Sequence, residues 1–424
     1  MNDVKLEPQM DADARRLGRK TGLFSRRSFY LCISLLICSF TSIVRADWTL
    51  TTSDFKTQAK LTVNTWTPGE GLSVSAEDGG LIKTDSRRIV SLVSDRPKAP
   101  ANGNWTLVLR NGDVLDGEPV GVSGQSLQFK ITELGPIDIP LKNLATMQSK
   151  DNKNPLSSTA TDKDLVRLKN GDQVEGFFIN VNTDKLQITT NANDSATTDI
   201  ELSKVDRIAF GGVSPARAVP PLSARLTFLS GSTLTVPLTD KNKTFSWSVG
   251  DITLKDPAGQ ERKTTPDQVS AVEVLGGRVV FLTEIDPASD QQTSYLGTVW
   301  PTQVNKNVLG GTLKVGKNIF GRGLGVHTRS ILTYDLQAAG GKFDALTLRA
   351  GLDDSSAPYG EANLSIVLDG KVLWEAKGMK AGQISEELNL PLKEGKMLEL
   401  HAEPAGKLDV LGRVDWVNAA LIRP

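Results

Sequence analysis

The stretch that decides the fold runs from Gly310 to Asp354: GGTLKVGKNIFGRGLGVHTRSILTYDLQAAGGKFDALTLRAGLDD. Gly321, Gly323 and Gly325 alternate through a short run that ends on Val326-His327, and His327 is one of only two histidines in the chain. Residues 331–336 (ILTYDL) then alternate as a strand does, and residues 345–350 form a second strand that leads into Gly351-Leu352-Asp353-Asp354. Glycine at every second strand position strips one face of side chains, so another backbone or a ligand can approach it closely.

Beyond this stretch, residues 364–368, 371–374, 384–390, 397–401 and 414–421 alternate in the same way between Gly, Pro and Asp turns. Many short strands separated by such turns predict a β-sandwich. After residue 46 no segment shows an apolar period of 3.6, so almost no helix is expected.

From Ser294 to Pro424 the sequence resembles the NPCBM module, a carbohydrate-binding module first associated with family 98 glycoside hydrolases. Gly323-Leu324-Gly325-Val326-His327 resembles the family's GxGxH segment, Tyr334-Asp335-Leu336 its YDL, and Gly351-Leu352-Asp353-Asp354 its GxDD. Leu368-Asp369-Gly370-Lys371-Val372-Leu373-Trp374 resembles its DGK hairpin, and Asp415-Trp416 its closing DW. The motifs stand in the family's order. Thr328 replaces the usual alanine, and Gly412-Arg413-Val414 stands where Asp-His often precedes the final Asp-Trp. The resemblance implies a jelly-roll sandwich of the galactose-binding-like type and a glycan as partner.

Residues 1–46 carry a basic flank, an apolar run at residues 29–44, and Ala46 at the end, the pattern of a secretory signal peptide. Ser25-Arg26-Arg27-Ser28-Phe29-Tyr30-Leu31 resembles a twin-arginine export signal. The apolar run of 16 residues is shorter than the ~20 of a membrane-spanning helix. The expectation is an exported, periplasmic or extracellular protein with no stable membrane span, an uncleaved N-terminal anchor being the alternative. Cys32 and Cys38 both lie in that segment, so no disulfide is expected beyond it. The whole chain balances 49 basic against 49 acidic residues, which gives no electrostatic footprint for nucleic acid.

Upstream of the sandwich lies an internal repeat. Leu109-Arg110-Asn111-Gly112-Asp113-Val114-Leu115-Asp116-Gly117 recurs 59 residues later as Leu168-Lys169-Asn170-Gly171-Asp172-Gln173-Val174-Glu175-Gly176. Each copy closes on a short strand, at residues 144–148 and 205–210. Asn-Gly between apolar strands predicts a two-residue hairpin turn with both residues at positive φ. The second glycine, five residues on, predicts a bulge or sharp bend. The pattern weakly resembles the first motif of Sm-like and SH3-like small barrels, without their RNA binding. The predicted fold is therefore all-β: tandem small SH3-like or Sm-like barrels, then the sandwich. Expected boundaries are a β-rich segment at 47–100, barrel repeats at 101–150 and 162–212, a degenerate third repeat at 222–285, and the sandwich at 294–424.

For chemistry, a glycosidase needs two carboxylates facing one another across a sugar. Asp353 and Asp354 are adjacent, so on a strand they point to opposite faces, and a turn-capping role suits them as well. Two histidines 74 residues apart, with no cysteine nearby, do not make a structural zinc site. No cofactor is expected; a structural Ca²⁺ stays open, although no local spacing supplies its six or more oxygens. Sugar binding needs an aromatic plate and a few polar groups. Tyr359, in a loop by composition, is the leading ring; Trp374 and Trp416 sit in alternating strands. Candidate ligand contacts are Tyr359, His327, Asp353, Asp354, Trp374 and Trp416. Three functions remain open: a non-catalytic glycan-binding protein, an envelope scaffold that binds a protein through its repeats, and a cryptic glycoside hydrolase.

Overall fold

The computed structural model describes residues 47–100, 102–151, 162–189, 197–212, 219–239, 244–293, 297–406 and 410–424. The signal segment and Ser294, the expected start of the sandwich, lie outside them. The described residues form strands and short 3-10 turns with no α-helix, as the alternating pattern predicts.

Four segments share one order of elements. In the second segment, strands Trp105–Leu109, Val114–Ser123, Ser126–Ile131 and Gly135–Pro140 are followed by a 3-10 turn, Leu141–Asn143, and a closing strand, Leu144–Ser149. The third runs the same way from Asp164–Leu168 to Leu202–Lys204 and Val205–Ala209. The N-terminal segment does so from Trp48–Thr52 to Ser86–Arg88 and Ile89–Ser94. The fourth, ending in Pro266–Gln268 and Val269–Leu275, differs in that its long second strand is interrupted between Thr233–Pro237 and Phe245–Trp247.

Their first hairpin is not the two-residue turn expected from Asn-Gly. Only the glycine takes positive φ, +86° at Gly112 and +95° at Gly171. Leu109 N–H donates to Asp113 O and Gly112 N–H to Leu109 O, which is a three-residue loop whose last member is left-handed. Asn111 Oδ1 accepts from Asp113 N–H (3.0 Å), so the Asn and Asp of the motif lock one another. Asn170 and Asp172 repeat this at 3.1 Å, and Ser230 with Ser232 at 3.2 Å. In the N-terminal segment Phe55 holds the glycine's place at φ +56°, with the same pair of backbone bonds to Thr52. Beyond the second glycine the strand bulges as expected, between Pro119 and Gly121 and between Phe178 and Asn180.

The segments do not line up as beads in chain order. Closing strands pair antiparallel: Met147 opposite Ile208, and Leu92 opposite Val272. Each of these is the fourth residue of its strand. Each pairing is therefore a local two-fold, in which like positions meet. The second and third segments share a ten-stranded sheet; the first and fourth, far apart in sequence, share an eleven-stranded one. A single apolar core runs from Trp48 to Val274 through all four.

The C-terminal part is a two-sheet sandwich. One sheet orders Gln303–Val304, Gly323–His327, Arg413–Ile422, Ala345–Leu352 and Leu388–Pro391. The other orders Ser289–Gln292, Ser330–Asp335, Met397–Pro404, Glu361–Leu368 and Lys371–Lys380. Its core holds Leu324, Val326, Tyr334, Leu348, Ile366, Leu400 and Trp416. The sandwich begins earlier than the sequence boundary at 294. Val279–Phe281, assigned by sequence to the third repeat, pairs with Ala420–Ile422, and Val280 and Leu282 enter the sandwich core. Arg322 ties the two regions together: it bridges Glu273 (2.8 Å) and Glu284 (2.7 Å) and lies 3.9 Å from the Phe281 ring centre.

Candidate functional site

The site grows from the bare strand face. Leu324, Val326, Ala350, Leu352, Val414 and Trp416 point into the core, so their neighbours point out. Register sets Gly325 beside Asp415 and Asp415 beside Gly351. The same chain covers this row. A Cβ on Gly325 would sit 2.6 Å from Asn307 Cα, and one on Gly351 would sit 2.7 Å from Val315 Cγ1. The alternating glycines therefore admit a backbone: residues 305–317 lie across the sheet as a strap whose own Leu313 and Val315 are buried.

Carboxylates fasten the strap. Asp353 Oδ2 accepts Lys314 N–H (3.1 Å), and its Oδ1 accepts Ser355 N–H (2.9 Å) and Asn307 Nδ2 (3.3 Å). Asp354 accepts Gly316 N–H (2.8 Å) and Lys317 N–H (3.2 Å). Asp415 is fully buried between Gly325 and Gly351, and neither of its oxygens receives a hydrogen bond from an N–H or hydroxyl donor. Burial and then the neighbouring Asp353 push the Asp415 carboxyl up to about 9. Burial also opposes ionisation of Asp353, but hydrogen bonds from Ser355, Asp415 and Lys314 outweigh it and hold that carboxyl below its usual range. With its carboxyl raised and that of Asp353 lowered, Asp415 is the member of the pair that holds a proton. One raised and one lowered carboxyl is the electrostatic pattern of a glycosidase acid and nucleophile. Here both lie under the strap, with no room for a sugar. The oxygens of Asp353 and Asp354 are occupied by N–H groups, which leaves too few for Ca²⁺. No group of three or more metal-ligating side chains occurs among the described residues.

The open part of this end is the rim beside the strap. His327 closes its strand opposite Arg413, and its ring stacks on Trp300 with centres 5.6 Å apart and planes 15° apart. Thr328 N–H donates to Gly412 O (2.7 Å). Arg413 Nη1 donates to Ser355 O (2.6 Å), and Ser356 Oγ to Arg413 O (3.1 Å). Three loops are thereby stitched into one edge, and Tyr359 stands out from it with 82% of its surface exposed. Among the described residues of these loops, Val299 and Val410, at 61% and 59%, are the other large exposed apolar side chains.

Of the six residues singled out by sequence, Tyr359 and His327 reach this rim, while Asp353 and Asp354 hold the strap. Trp416 is fully buried between the sheets, which removes its ring from any ligand. Trp374 lies half-buried on the sheet of Lys371–Lys380, an edge strand away from the rim loops. His401 pairs with Glu399 at 2.7 Å on that second sheet. Sequence reasoning passed over Asp415 as the partner of Asp353, although the glycines that flank it in register were its signal. It also passed over Arg413, which no local pattern marks.

Residues 278–422 match the NPCBM/NEW2 domain family. A "Putative endo-alpha-N-acetylgalactosaminidase" of Renibacterium salmoninarum is 27% identical over 186 residues, which are 41% of this chain and 12% of that protein; the chain thus spans about an eighth of its relative's length. Among solved structures, a CBM51 module from Clostridium perfringens GH95, in complex with methyl-galactose, is 18% identical. It covers 34% of this chain and 99% of its own, with a TM-score of 0.31. Tandem CBM51 modules of a Streptococcus pneumoniae family 98 glycoside hydrolase are 12% identical, over 86% of this chain and 93% of theirs, with a TM-score of 0.30.

Proposed function

We propose that this is an exported, non-catalytic glycan-binding protein whose C-terminal sandwich meets its saccharide at the rim of Trp300, His327, Tyr359 and Arg413. The match of residues 278–422 to a carbohydrate-binding family supports a carbohydrate-binding role. The observation that carries the rim is Tyr359, a ring left in solvent on the loop whose Ser355 accepts from Arg413, the register partner of the Trp300-stacked His327. An exposed ring offers a flat face to sugar C–H groups, and the adjacent donors serve hydroxyls. The buried state of Asp353 and Asp415 argues against turnover at that carboxyl pair. Binding of the chain from residue 47 onward to a panel of neutral cell-envelope and extracellular glycans is the test. Tyr359→Ala should weaken binding at least about tenfold with the melting temperature unchanged. Undiminished binding by that variant, or release of sugar from the bound glycan, would overturn the proposal.

A further inference from the structure

A second feature lies away from the rim, where the first and fourth segments meet the sandwich. A cleft of about 660 Å³ opens there, lined by Arg87, Arg278, Lys342 and Arg423, with Val219, Pro220, Pro221 and Leu222 on one wall. Among the described residues no acidic side chain lines it. Among those residues, too, none of the four cations makes an ion pair, although the chain as a whole balances its charges. Arg423 is the most constrained. Its Nη1 donates to Gly276 O at 3.4 Å, its guanidinium stands 5.5 Å from the Phe343 ring centre, and its buried Nε has no acceptor. Arg278 donates Nε and Nη2 to Arg423 O, each at 3.3 Å, and so fixes the floor. Gly340, at φ +95°, makes room for the head group: a Cβ there would lie 2.7 Å from Arg423 Nη2.

Such a cluster costs free energy unless an anion completes it, because like charges repel and a buried donor without an acceptor is destabilising. The volume is that of a small-ligand site. The proline and leucine wall suits the C–H faces of sugar rings, and no aromatic ring lines the cleft to stack a base. We infer that this cleft binds an anionic saccharide, its carboxylate or sulfate group held by Arg87, Arg278, Lys342 and Arg423. This site is separate from the rim and does not depend on it.

Affinity electrophoresis of the chain from residue 47 onward through polygalacturonate, dextran sulfate and uncharged pullulan tests this. Retardation by polygalacturonate alone assigns a carboxylate, by dextran sulfate alone a sulfate, and by both a general anion site. Arg87 and Lys342 carry exposed heads, so the double variant Arg87→Glu, Lys342→Glu should fold, lose binding to the charged polymer at least about tenfold, and show a shallower salt dependence. Arg87→Gln, Lys342→Gln should fall between it and the native chain. Tyr359→Ala should bind the charged polymer as the native chain does, which separates this site from the rim. Equal binding by the charge-reversed and native chains, no retardation by either charged polymer, or equal affinity for a DNA oligonucleotide would overturn it.

Discussion

Glycine does different work in the two halves of the molecule. In the first hairpin loop of the repeated segments it serves conformation: Gly112, Gly171 and Gly231 all stand at φ near +90°, and a Cβ on Gly171 or Gly231 would meet nothing, whereas the second glycines, Gly117 and Gly176, already serve space. In the sandwich it serves space: Gly323, Gly325 and Gly351 lie on strands, and a Cβ on any of them would meet neighbouring backbone. The first use can be replaced at modest cost, as Phe55 shows by holding the same left-handed position. The second costs more, because a side chain there would enter space that neighbouring backbone already fills.

Gly325→Val tests this most severely. It should lift residues 305–317 off the sheet, unseat Asp353 and Asp354, and destabilise the chain by about 3 kcal/mol or more, read by denaturant unfolding. A loss below about 1 kcal/mol would mean the strap adapts. Asp113→Ala comes next. Asp113 is buried and accepts Thr235 N–H (2.7 Å), Thr235 Oγ1 (2.6 Å) and Asn111 Nδ2 (2.9 Å), with Arg225 at 3.4 Å. Its loss should cost about 3 kcal/mol. Asp172→Ala, at the same motif position but exposed, should cost about 0.5 kcal/mol or less.

Asp415→Asn probes the acid pair through pH. The folded Asp415 carboxyl titrates far above its unfolded value, so the native state binds the extra proton between pH ~4 and ~9. Stability should therefore fall as pH rises through that window, by at most about 1.4 kcal/mol per unit. Asp353 runs the other way: its lowered value gives stability above the unfolded value that is lost on further acidification. Asp415→Asn keeps a donor towards Asp353 and removes the first slope, so its gain over the native chain should grow from pH 5 to 9. A parallel pair of stability curves would contradict the shared proton. Gly171→Ala should have the smallest effect of the glycine changes, about 1 kcal/mol, since only φ opposes it.

Much of this was legible in order along the chain. Alternation gave the strands, and the 59-residue recurrence gave two of the four segments. The Leu-x-Asn-Gly-Asp string placed the hairpins, although it misled on their type: the loop has three residues, and the asparagine is needed for its side-chain bond to the aspartate rather than for its φ. The N-terminal segment was hardly legible because Phe55 replaces the diagnostic glycine. Of the site, Tyr359 could be read from its loop and Asp353 from its motif. The alternating strand around Trp416 pointed to a core position, but alternation alone names a face without saying what covers it.

By itself, the sequence determined what depends on neighbours along the chain: strand faces, turn positions, and where a backbone may come close. The tertiary structure decided whatever depends on partners far away. Asp113 and Asp172 sit in the same local motif, yet only Asp113 is buried, because Thr235 of the fourth segment closes over it. The nested pairing of the segments, the proton between Asp415 and Asp353, and the basic cleft at Arg423 likewise come from residues that meet only on folding. A local pattern fixes where a side chain points, but its charge, burial and exposure are set by whatever the rest of the chain brings against it.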